Sequence, residues 1–137
     1  MKELNIAYYK TLAEQLVFIS TFLGGVSATI LGTLIAFQLD NKIVRAMVIG
    51  LSIAAVFFIV AVFGMNKIQI ILAPNSPYQS KLELLHYPRL VGGLSFIIGI
   101  YALLAVISLS GWIKSKAIGI TTTIISIIAG ILIFTLI

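Results

Sequence analysis

The side chains of this 137-residue chain that could do acid–base, nucleophilic or metal chemistry are few: one histidine, four carboxylates and no cysteine. Glu83 and His86 stand three residues apart, a spacing that places two side chains on one helical face. A metal or general acid–base site needs further partners, and the chain supplies no second histidine and no thiolate to complete one. Glu83 and His86 therefore read as interfacial groups near Arg89, and the chain is not expected to be an enzyme or to hold a metal or cofactor. The other carboxylate with a distinctive setting is Asp40. It lies in the polar stretch Gln38, Leu39, Asp40, Asn41 and Lys42, where a ring of copies would form an acidic vestibule and a single copy would serve the turn and pair with Lys42 or Arg45.

What must position these groups is set by four stretches without a charged residue, 15–39, 46–66, 90–113 and 117–137. About 20 apolar residues cross the hydrocarbon core as a helix, so each stretch is long enough to span. With 61% hydrophobic and 9% charged residues, the composition leaves no material for a soluble domain. The expected fold is all-α, a single four-helix transmembrane bundle over residues 1–137. Leu4, Tyr8 and Leu12 recur at helical spacing among Lys2, Glu3, Lys10 and Glu14, which suits an interfacial helix over 2–14 leading into the first span. Nothing in Met1 to Lys10 reads as a cleavable secretory signal, so the first span is expected to stay as an anchor. Short turns at 38–42 and 114–116 make spans one and two, and spans three and four, antiparallel neighbours. All three prolines fall in the connector 67–89, with Pro74 to Pro77 as a turn and Pro88 in the opening turn of span three.

Span one differs from the rest. Ser20, Gly24, Ala28, Gly32 and Ala36 recur every four residues, and Thr21, Gly25, Thr29 and Thr33 form a second row beside them. Small rows let backbones approach, and in lipid that is how helices of many functions pack. The same rows would also let copies of span one meet at a central axis, with Gly24, Ala28, Gly32 and Ala36 in helix contacts and Thr21, Gly25, Thr29 and Thr33 facing a narrow pore. No ionisable residue lies deep within a span, and no proline breaks one, which argues against a proton- or ion-coupled transporter. In span four, Gly119, Thr123, Ser126 and Gly130 share a stripe whose hydroxyls can bond back to their own helix, and Trp112 reads as an interfacial anchor.

The run Ser20-Thr-Phe-Leu-Gly-Gly-Val-Ser-Ala-Thr-Ile-Leu, the four-span layout, the short first and third turns and the connector residues Ala73-Pro-Asn-Ser-Pro and Leu84-Leu-His-Tyr together resemble the Orai calcium-channel family. The resemblance implies a homo-oligomeric ring with the first span innermost, the second and third around it and both termini in the cytoplasm. The family's selectivity glutamate has no counterpart in Gly32-Thr-Leu-Ile-Ala-Phe-Gln, where Asp40 just beyond is the nearest acid, and the dense basic run before the first span is reduced to Lys10. The function expected is thus an oligomeric pore, cation-permeable and poorly calcium-selective, in a plasma or inner membrane. The alternative is a membrane scaffold or accessory subunit whose small faces bind a partner protein's transmembrane helices. The net charge of +5 suits anionic headgroups, and no aromatic interleaving points to nucleic acid.

Both termini lie on one face of a four-pass chain. That face carries Lys2, Lys10, Lys67, Lys81 and Arg89, and the opposite face carries Lys42, Arg45, Lys114 and Lys116, a small positive-inside bias for cytoplasmic termini. Cysteine placed at Ser76, in a chain with none of its own, should therefore resist an impermeant thiol reagent in intact cells and react after permeabilisation. Labelling from outside would invert the topology.

Overall fold

The computed structural model describes residues 2–37, 41–74 and 85–137, with side chains from Ile6 onward. The chain folds into four helices, α1 (Lys2–Ala36), α2 (Lys42–Leu72), α3 (His86–Lys114) and α4 (Lys116–Leu136). All four are long and apolar enough to cross a membrane, so the protein is an all-α, four-pass integral membrane protein.

Local chemistry accounts for the ends. Asn41 opens α2 by accepting a hydrogen bond from the Ile43 amide at 3.0 Å. Ser115 closes α3 through its own amide, which donates to the Gly111 carbonyl at 3.4 Å, and opens α4 with its hydroxyl, which accepts from the Ile118 amide at 3.2 Å. One residue thus makes the whole turn between α3 and α4. α2 stops where Ala73 turns extended (φ −63°, ψ 143°), the conformation that a following proline imposes. The turn read over Pro74 to Pro77 otherwise lies outside the described residues, as do Gln38, Asp40 and Glu83.

α1 runs unbroken for 35 residues, about 52 Å, so the segment over 2–14 read as an interfacial helix continues into the first span without a break. α2 continues six residues past Asn66, and Ala13 is buried there with Met65, Ile68 and Leu72 while Ile6, Tyr9, Leu16 and Val17 pack around them. The apolar side of this segment is thus covered by α2.

Packing is sequential. α1 lies on α2, α2 on α3 and α3 on α4; α1 brushes α3, and α4 touches neither α1 nor α2 among the described residues. Phe58 of α2 is fully buried where three helices meet. A methyl group on Gly24 of α1 would stand 3.2 Å from the Phe58 Cβ, and one on Gly99 of α3 would stand 2.9 Å from its ring, so both glycines make room for this phenyl group. The ring of Phe96 meets it edge-on at 6.2 Å. Six residues further along α2, Gly64 faces Gly92 backbone to backbone: a Cβ on Gly64 would lie 2.9 Å from the Gly92 Cα.

α1 turns Ala13, Ser20 and Ser27 inward, each no more than 1% exposed, with Leu31 and Leu34 continuing the seam. These inward positions recur every seven residues, a period that stays nearly in line on a straight helix. A four-residue row instead rotates by about 40° per step. The row from Ser20 to Ala36 accordingly leaves the seam: Ser20 is buried, Gly24 half-buried, and Ala28, Gly32 and Ala36 are exposed.

Phe58→Ala should cost about 3 kcal/mol, because the cavity opens beside two glycines that have no side chain to fill it. Reversible unfolding in mixed micelles measures this, and an unchanged unfolding free energy would remove Phe58 from the centre of the packing.

Candidate functional site

The outward side of α1 brings the pore-lining candidates together. Thr21, Gly25, Thr29 and Thr33 are all exposed, and Thr21, Phe22, Gly25, Val26, Thr29 and Ile30 line a shallow depression of about 450 Å³. Methyl groups on Gly25 or Gly32 would meet no atom within 4 Å. The Thr29 hydroxyl donates to the Gly25 carbonyl at 2.8 Å, and that of Thr33 to the Thr29 carbonyl at 2.9 Å. With their hydrogens spent on the helix, these hydroxyls present lone pairs outward, so the face accepts hydrogen bonds or solvates a cation without carrying charge. Of the vestibule candidates, Asn41 serves as the cap of α2, and Gln38 and Asp40 lie outside the described residues. Of the packing candidates, Gly24 meets Phe58 of α2, while Ala28, Gly32 and Ala36 are exposed.

A second polar locus joins α3 to α4. Thr123 is its hub: its hydroxyl donates to the Gly119 carbonyl at 2.7 Å and accepts from the Ser108 hydroxyl and the Trp112 indole N–H, both at 2.9 Å. Thr122 donates to the Ser108 carbonyl at 3.0 Å, and the Tyr101 hydroxyl to the Gly130 carbonyl at 2.9 Å. Trp112 covers Gly119 so closely that a Cβ there has no room. The stripe read in the sequence as back-bonded is thus half a cross-helix network, and the anchor Trp112 is one of its donors. A sequence signal exists for this, since Trp112 and Gly119, Ser108 and Thr123, and Tyr101 and Gly130 each lie equally far on either side of the Ser115–Lys116 bond. Below the network, Tyr101, Leu104, Ser126, Gly130 and Phe134 line an apolar groove of about 480 Å³. The Ser126 hydroxyl is sealed inside the contact without a hydrogen-bond partner, and so is that of Ser20 between α1 and α2.

At the terminal end, Arg89 reaches from α3 to α1. Its Nη1 donates to the Tyr9 hydroxyl at 3.1 Å, and its guanidinium carbon lies 5.0 Å from the centre of the Tyr9 ring. His86 is exposed one turn earlier. Among the described residues, no three of His, Cys, Asp and Glu come together as metal ligands would. Comparison with known protein families, curated proteins and solved structures finds no match for this chain.

Trp112 is the only tryptophan, so its fluorescence reports the network directly. Thr123→Val removes the oxygen that accepts from the indole and should shift the emission to the blue while costing about 1 kcal/mol of stability. Identical spectra would mean that water or another group satisfies the indole N–H.

Proposed function

We propose that the protein is an oligomeric membrane pore in which α1 is innermost and its outward face lines the path. One observation carries this reading: the face of α1 bearing Thr21, Gly25, Thr29 and Thr33 is exposed and turned away from every other helix among the described residues. The sequential packing supports the same arrangement, since it leaves α1 at one edge and α4 at the other. An inner α1 would place α4 outermost, where Ile124, Ile127, Ile131 and Phe134, all more than half exposed, suit lipid. The resemblance to the Orai family points the same way. The lining so formed is uncharged, and the nearest acid is Asp40 at the mouth opposite the termini. A ring of Asp40 carboxylates would concentrate cations there, while lone pairs along the bore cannot separate divalent from monovalent ions by charge, so permeation is cationic and weakly selective. The membrane is a plasma or inner membrane, with both termini cytoplasmic.

A second reading has support of its own. Phe22 and Ile30 flank the depression on α1, and a small floor with bulky walls also fits a foreign transmembrane helix, as in a scaffold or accessory subunit.

Two measurements separate these. Ala28→Leu and Gly32→Leu place bulk on a face that no other helix of the chain fills, so they should leave the monomer's fold intact and break the homo-oligomer, as read by mass photometry in detergent. Wild-type protein in planar bilayers should carry cation current that falls in Asp40→Asn. Homo-oligomers unaffected by both leucine variants would displace the proposed face, and silent bilayers from assembled protein would favour the scaffold.

A further inference from the structure

We infer that the corner between α1 and α3 at Tyr9 and Arg89 is a binding site for the headgroup of an anionic phospholipid. The inference is independent of whether α1 lines a pore. It begins with depth. Arg89 and Lys114 bound the uncharged length of α3, and Arg45 and Lys67 that of α2, lengths of about 37 and 33 Å at the rise of an α-helix. Both match a hydrocarbon core of about 30 Å plus the first polar layer. Arg89 therefore stands at the level of lipid phosphates. Tyr87, two residues before Arg89, and Tyr8, whose ring lies 5.6 Å from that of Tyr9, are 74% and 63% exposed, as interfacial tyrosines are.

The second step is the chemistry of Arg89. Its contacts with Tyr9 are one hydrogen bond and one ring face, and both partners are neutral. Tyr9 therefore leaves the positive charge uncancelled and leaves most of the five N–H donors of the guanidinium free to turn towards an acceptor. Arg89 also lies in the opening turn of α3, which holds no acidic residue, at the helix end where a cation is least favourable and an anion most favourable. A phosphate diester offers what this arrangement lacks, a negative charge and paired oxygens that a planar fork can bind two at a time.

The third step is preorganisation. An exposed arginine ordinarily loses rotamer freedom when it binds, whereas Tyr9 holds this one in place beforehand. Tyr9 is in turn packed on the α2 extension bearing Met65, Ile68 and Leu72, so the site depends on the first turns of α1 lying against α2. Lys10 lies next to Tyr9 in sequence and is exposed, but nothing fixes it, and it contributes only to the diffuse positive field.

This separates a site from general surface attraction. The full chain in nanodiscs of phosphatidylcholine with a minority of phosphatidylglycerol should, on release for native mass spectrometry, keep phosphatidylglycerol in preference to phosphatidylcholine. Arg89→Gln should reduce that preference about tenfold or more, as expected for loss of a charge-assisted pair. Arg89→Lys keeps the charge without the fork and should fall between. Tyr9→Phe keeps the ring without the hydroxyl and should weaken retention severalfold, while Lys10→Gln should leave it close to wild type. Trp112 emission checks the fold of each variant. If Arg89→Gln does not fold, Arg89→Lys and Tyr9→Phe decide. Retention that survives the Arg89 variants, or that falls equally with Lys10→Gln, would overturn the site and leave bulk electrostatics.

Discussion

Within a bilayer an apolar side chain gains almost nothing by exchanging lipid for protein, so the helices of this chain are held by how closely they can approach. Everything in the fold follows from that constraint. Phe58 fits between α1 and α3 because Gly24 and Gly99 offer no side chain to obstruct it, and α2 and α3 come into backbone contact at Gly64 and Gly92. Between α3 and α4 the same close approach brings hydroxyls into reach, and Thr123 becomes a hub only because Trp112 can lie flat on Gly119. Where no helix arrives, as along Gly25 and Gly32, the same kind of surface is left open.

How much of this could be read from the sequence depends on the range of the forces involved. The spans, the short turns at 38–42 and 114–116 and the confinement of proline to the connector are local matters, set by hydropathy and turn chemistry, and they are legible. The run of α2 past Asn66 to Leu72 lies beyond the uncharged stretch that marks the span, and is not. The packing of the first turns of α1 on α2 is not legible either, because their amphipathic pattern suits a membrane surface and a protein groove equally, and the extension of α2 to Leu72 is a long-range matter. The candidate row on α1 was half legible. Small residues every four positions mark a surface for close contact, but the rotation of such a row carries Ser20 and Gly24 inward and Ala28, Gly32 and Ala36 outward. The pairs across Ser115 were within reach of a register argument, since a one-residue turn fixes which positions must face each other.

The two faces of function proposed for the chain use different parts of α1. Its middle turns offer oxygen lone pairs on a neutral, uncovered surface, while its first turns hold an arginine from another helix at headgroup depth. A lipid bound at the second place would sit on a side-chain contact between α1 and α3, helices that meet only sparsely among the described residues, so occupancy there bears on how firmly α1 is tied to α3. That tie is the physical route by which membrane composition would influence anything α1 does.

The end-to-end order of packing also has a consequence for biogenesis. Because each helix after the first rests on the one made just before it, most of the contacts that hold it are available as soon as it enters the membrane. Insertion can proceed one antiparallel hairpin at a time, with Phe58 seated against Gly24 before Gly99 is synthesised. The contact between Tyr9 and Arg89, 80 residues apart, is the late fastening, made only after three helices are in place.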